Sequence, residues 1–140
     1  MISLALASFT ITWVDESSTA GTATYVETVN FDLATGLRIP FDSVFADADA
    51  ALEAISAESR KQLQAQLGTA YDATIAADGT VATRASFVNW AVTSGGIKVT
   101  FAEYQVSRAA GLVSVEIPWG SLRSFMYATG PVALLAGLGT

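Results

Sequence analysis

The side chains of this 140-residue chain that could carry chemistry are carboxylates, hydroxyls, lysines and aromatics, because it contains no histidine and no cysteine. That removes Ser-His-Asp and Cys-His nucleophiles, histidine acid–base catalysis and zinc sites of the Cys/His kind. Hydrolysis of an envelope polymer or an ester would therefore need paired carboxylates about 5–9.5 Å apart, or a Ser–Lys pair drawing on Lys61 or Lys98. Lys98 falls on the polar side of an alternating stretch, where solvation is its ordinary role. Asp42, Asp47 and Asp49 lie close in sequence, but just ahead of a helical pattern such residues cap and solvate. Asp32, Thr35 and Gly36 suggest the start of a cation loop, yet the further oxygen ligands that calcium needs do not follow at suitable spacing. No metal or cofactor site is expected, and the chain reads as a non-enzyme.

Recognition is the other chemistry available. Tyr, Trp and Arg dominate binding hot spots, which makes Tyr104, Arg108 and Trp119, in and beside the loop at residues 102–111, the candidate ligand contacts. Each has a plainer role beside that one: core packing for Tyr104 and Trp119, a solvated surface charge for Arg108. A net charge of −6 with 7 scattered basic residues excludes nucleic acid as a partner, since phosphate binding needs clustered cations. Hydrophobic residues make up 51% and charged residues 14%, an excess that points to a full core, to an apolar surface that a partner covers, or to a homo-oligomer. No apolar run has the length of a membrane span. Residues 1–14 lack a basic start and have a short apolar stretch interrupted by Ser8 and Thr10, so they read as a strand rather than a signal peptide.

The elements that must position these residues follow from the pattern. Phe9, Ile11 and Trp13 share one parity and Leu4 and Leu6 the other, which predicts a bulge or a late strand start near Ala7 and Ser8. After a polar loop, Ala23, Tyr25, Val29 and Phe31 mark a second strand pairing with the first. Asp32 and Gly36 close it with a turn. Leu52, Ile55, Leu63 and Leu67 recur at helical spacing, with Ala48 and Ser59 between them and Gly68 as terminator, predicting a helix over 48–67. Trp90 and Val92, then Ile97, Val99 and Phe101, alternate around Gly95-Gly96, a hairpin whose glycines suit the positive φ of a primed turn. Val113, Val115 and Ile117 supply a third strand ended by Pro118. Asp78-Gly79 signals a turn, residues 120–127 have helical spacing, Gly130-Pro131 would stop them, and residues 132–140 form an apolar, glycine-rich tail. The reading is one α+β domain over residues 1–140: an antiparallel β-sheet covered on one face by the long helix, with a short C-terminal helix.

Asn-Phe-Asp-Leu-Ala-Thr-Gly at residues 30–36, followed by Phe-Asp-Ser-Val-Phe at 41–45, resembles a signature of the C-terminal domain of RsiV-type anti-sigma factors. Phe-Val-Asn-Trp at 87–90, Gly-Ile-Lys-Val-Thr-Phe at 96–101, Tyr-Gln-Val at 104–106, Ala-Gly at 110–111 and Val-Glu-Ile-Pro-Trp at 115–119 are similar to the rest of that pattern, in order. The likeness runs from about residue 9 to 127. It implies a domain of unknown function from bacterial envelope and secreted proteins, including mycobacterial secreted antigens and some peptidoglycan deacetylases, in which catalysis belongs to a separate domain. By resemblance, the chain is an extracytoplasmic module, secreted or envelope-anchored, whose partner is a protein, as lysozyme is for RsiV-type receptors, or a cell-wall glycan. Many members carry Gly-Ala-His before the second strand, where this chain has Gly21-Thr22-Ala23-Thr24, so no role of that histidine transfers. No preceding companion domain is read within these 140 residues, so a sensing role needing two domains is not expected of them.

Overall fold

The computed structural model describes residues 5–17, 21–109 and 111–138. In chain order the elements are β1 (Leu6–Asp15), β2 (Ala23–Asp32), α1 (Ala48–Leu67), α2 (Ala73–Gly79), β3 (Trp90–Val92), β4 (Gly96–Phe101), β5 (Val113–Pro118) and α3 (Pro131–Leu135). This is an α+β architecture of antiparallel sheets, a long helix and a short C-terminal helix. The strands form a two-stranded sheet, β1-β2, and a three-stranded sheet, β3-β4-β5.

Helix α1 has the bounds its sequence predicts. The Asp47 carboxylate accepts a hydrogen bond from the Ala50 amide at 3.1 Å, and Gly68 takes a φ of 53° where the helix ends. Ala51, Leu52, Ile55 and Leu63 face inward and join Val92, Ile97, Val99 and Ile117 in one buried cluster. The register Trp90↔Val99↔Val115 and Val92↔Ile97↔Ile117 puts the apolar members of all three strands on the face that meets the helix. Helix and sheet thus supply each other's second layer, which neither could do without.

The outer edge of β5 is covered by side chains. Gln62 donates through Nε2 to the Glu116 carbonyl at 2.6 Å and accepts the Glu116 amide through Oε1 at 3.1 Å. Gln66 donates to the Ser114 carbonyl at 3.0 Å. Backbone groups that would otherwise template another strand are satisfied from the helix.

The hairpin between β3 and β4 forms where expected, but its glycines are not there for their φ. Neither Gly95 nor Gly96 has a positive φ. A Cβ on Gly95 would lie 2.6 Å from the Glu116 carboxylate, and one on Gly96 would overlap the Ile117 carbonyl oxygen. Gly96 is needed for space against the β5 backbone, whereas the Glu116 side chain can swing away from a Cβ at position 95; neither glycine serves a primed turn.

Strands β1 and β2 pair without interruption from Leu6↔Asp32 to Asp15↔Ala23, so the expected bulge near Ala7 and Ser8 is absent; Leu4 lies outside the described residues. The change of parity reflects a change of surroundings. Leu6, Ala7 and Ser8 are buried at the base of the ribbon, while Phe9, Ile11 and Trp13 extend beyond the core. A polar clasp ties the base to β3: the Ser8 hydroxyl donates to the Asn30 side-chain oxygen, Asn30 Nδ2 donates to the Trp90 carbonyl at 3.0 Å, and the Val92 amide donates to Ser8 Oγ at 3.1 Å. Side chains, rather than a continuous ladder, join the two sheets.

Three further expectations change. Residues 120–127 do not form a helix; the chain makes two single 3-10 turns there, Trp119–Ser121 and Arg123–Phe125. Gly130-Pro131 starts a helix instead of stopping one. Proline fits the first turn of α3 because the amide it lacks would have no helical partner there. The tail is docked through buried Val132, Ala133 and Ala136, while residues 139–140 lie outside the described set. Between α1 and β3, where only a turn at Asp78-Gly79 was legible, α2 ends at that glycine.

Candidate functional site

The loop that leaves β4 and returns into β5, residues 102–111, is fixed to the body by Gln105. Gln105 Nε2 donates to the carbonyls of Gly79 and Ser86, both at 2.8 Å, and its Oε1 accepts the Ala102 amide at 3.1 Å. Gly79 ends α2 directly beneath it, and a Cβ there would overlap the Gln105 carbonyl oxygen. Val106 and Ser107 are buried, and Glu103 accepts the Gly111 amide at 3.2 Å across the ends of the loop.

This anchoring holds Tyr104 out in an uncommon backbone state. The Gln105 amide donates to the Ala102 carbonyl at 3.1 Å, closing a β-turn with Tyr104 as its third residue. Tyr104 has a φ of 65°, the only positive φ at a non-glycine among the described residues, and is 60% exposed. A tyrosine in that region costs about 1 kcal/mol relative to glycine, and strain of this kind gathers at working sites.

Arg108 stands on the same loop with its side chain 81% exposed, its Nη2 3.3 Å from Asp72 Oδ2. The other Asp72 oxygen caps α2, accepting the amides of Thr74 at 3.0 Å and Ile75 at 3.1 Å. The Ile75 amide foremost, with the Thr74 amide and Arg108 adding and partial desolvation opposing, holds the Asp72 carboxyl below its ordinary range. An exposed pair of this kind orients Arg108 without tying it up.

Trp119 does not join them. It is 4% exposed, and its indole N–H donates to the Ser94 carbonyl at 3.2 Å. Ser94 precedes β4 and the loop follows it, so Trp119 lies at the other end of the strand, about 20 Å away by the strand rise. The candidate contact set reduces to Tyr104 and Arg108. Reading by residue type missed Asp72 and Gln105, the groups that place them; the only signal for Asp72 was an aspartate ahead of a small-residue run.

The remaining candidates are placed as follows. Lys98 is exposed, with Ala91 and Glu116 beside it in register, and Lys61 is exposed on α1. Asp42 and Asp49 are drawn toward Arg84, at 2.7 and 3.8 Å. The hydrogen bond from Arg84 to Asp42, then the charge of Asp42, raises the guanidinium's pKa. Asp32 accepts the Ala34 amide at 2.8 Å and Gly36 has a φ of 70°, a turn as expected. An open cleft of about 370 Å³ separates that turn from the start of α3, with Asp32 and Arg38 as its charged lining. Among the described residues, no group of three or more metal-ligating side chains gathers to hold an ion, and no helix is long and apolar enough to cross a membrane.

No curated protein matches this sequence. A crystal structure of a DUF3298 family member from Bacteroides fragilis superposes with a TM-score of 0.73 at 18% identity, covering 94% of this chain and 52% of that one. At that identity the likeness is one of fold, and this chain spans about half the length of that protein. The family described as "Protein of unknown function (DUF3298)" matches residues 42–120, more than half of the chain and including α1, the three-stranded sheet and the loop that carries Tyr104 and Arg108, and the protein therefore belongs to the DUF3298 family.

Proposed function

We propose that this chain is a non-catalytic binding module of the bacterial cell envelope, acting outside the cytoplasm, that grips its ligand through the loop at residues 102–111. One observation carries the reading: Tyr104 is held exposed in a left-handed conformation by a loop whose next residue, Gln105, is bonded to the body at Gly79 and Ser86 and back to Ala102 within the loop. A strained, exposed aromatic on a rigid support, beside an oriented arginine, is pre-organised for contact. The RsiV-type resemblance supports the setting and the ligand class, a lysozyme-like protein or a peptidoglycan fragment.

The test immobilises the protein and measures retention of lysozyme and of soluble peptidoglycan. Arg108→Ala is expected to weaken retention with the unfolding midpoint unchanged. Tyr104→Gly separates the roles further: relief of the left-handed strain stabilises the fold by about 1 kcal/mol while binding falls. Full retention by both variants, or no retention of either bait by the unaltered protein, would remove the reading.

A further inference from the structure

The ribbon of β1 and β2 carries a second surface, unrelated to the loop. Beyond its base the sheet has no third strand among the described residues. Register places Phe9 opposite Val29, Ile11 opposite Glu27 and Trp13 opposite Tyr25, all on one face. Four of these apolar side chains are open to solvent: Phe9 43%, Ile11 52%, Trp13 47% and Tyr25 46%. The Trp13 and Tyr25 rings stack at 5.6 Å and 21°, a preformed platform at the far end of the strip. A two-stranded ribbon alone is marginal in water, and a contiguous apolar strip of this kind marks an interface.

Charge says what the strip meets. Residues 1–37 contain no lysine or arginine and carry Asp15, Glu16, Glu27 and Asp32, with Glu27 in the middle of the apolar face. A second copy docking face to face would bring like charges into a desolvated strip, which costs several kcal/mol. A glycan would stack on free ring faces, whereas here Trp13 and Tyr25 each give one face to the other and an aliphatic residue occupies the centre. We propose that this face of the ribbon docks a cationic polypeptide segment, whose apolar side chains cover Phe9, Ile11 and the Trp13–Tyr25 pair while an arginine or lysine meets Glu27 over the aromatic rings. This goes beyond the loop reading and stands or falls separately from it.

Trp13 supplies the readout, since Trp90 and Trp119 are only 7% and 4% exposed. The full chain is titrated with a short synthetic peptide of alternating arginine and leucine, and acrylamide quenching reports the accessibility of Trp13. The peptide is expected to protect Trp13, and added salt to reduce that protection. Glu27→Gln is expected to weaken binding about tenfold or more. Glu53→Gln, which removes the same charge from the exposed side of α1, is expected to leave the protection of Trp13 unchanged. Four results would overturn the proposal: no protection by the cationic peptide; equal weakening by Glu27→Gln and Glu53→Gln; equal protection by a glutamate–leucine peptide or by a neutral glucosamine oligomer; or protection of Trp13 by raising the protein concentration alone, which would assign the face to self-association.

Discussion

Ile55 and Ile11 carry the same side chain and meet opposite fates: Ile55 in α1 is fully enclosed, while Ile11 in β1 is 52% exposed. Both sit in well-formed amphipathic patterns. The difference lies in what faces them, because α1 closes over the three-stranded sheet while the outer part of the ribbon has no second layer among the described residues. An apolar pattern specifies a face; a partner element decides whether that face becomes core or interface. The family match at residues 42–120 spans the covered region and leaves the ribbon outside it.

Four substitutions sharpen or break this contrast. Ile55→Ala is expected to cost about 2–5 kcal/mol, read from denaturant unfolding, through lost burial and the cavity left behind. A smaller loss would mean the body is less tightly packed than its burial implies. Asn30→Ala strikes the clasp between the regions, leaving the Trp90 carbonyl without its side-chain donor. A cost of about 1–3 kcal/mol is expected, with hydrogen exchange accelerating in β1 and β2 more than in α1. Uniform acceleration would show ribbon and body to be one cooperative unit.

Asp72→Ala comes next, with a smaller fall in midpoint, because it removes the cap of α2. Its pH dependence has a definite sign. The folded Asp72 pKa lies below that of a free carboxyl, so the stabilisation is complete above the free value and is lost as pH falls through the folded value. The midpoint gap between the unaltered protein and the variant should close in acid; a gap that persists there would assign the effect to packing. Smallest is Ile11→Ala, within about 0.5 kcal/mol, as for an exposed position, while peptide docking on the ribbon falls. A cost comparable to that of Ile55→Ala would show that the strip is already covered.

Helix α1 was legible because it writes its period over 20 residues and both ends carry signals, Asp47 and Gly68. Helix α2, with 7 residues, is too short to show a period, and only the Asp72 cap announces it. The glycine pair at 95–96 was readable as a turn, but the reason for glycine at position 96 lies across the sheet in the Ile117 carbonyl. Of the site, Tyr104 and Arg108 were readable by residue type. The left-handed backbone of Tyr104 was not, because nothing in a tyrosine predicts it and the anchor works through Gly79 and Ser86. Trp119 was misplaced because the same side chain serves hot spots and cores, and the carbonyl that satisfies its indole belongs to Ser94, distant in sequence.

The glutamines along β5 make the border of the sheet a matter of phase. Gln62 and Gln66 are four residues apart, about 6 Å along a helix, and they meet Ser114 and Glu116, two residues apart and about 6.7 Å along a strand. The two repeats agree for one step and then drift, so the helix imitates a neighbouring strand over a short distance only. Inserting a single residue between the two glutamines would turn one of them about 100° away and reopen part of the border. Length changes in this part of α1 are therefore tolerable only in whole turns, whereas the distal ribbon answers only to its own register and can lengthen by residues added in pairs to both strands.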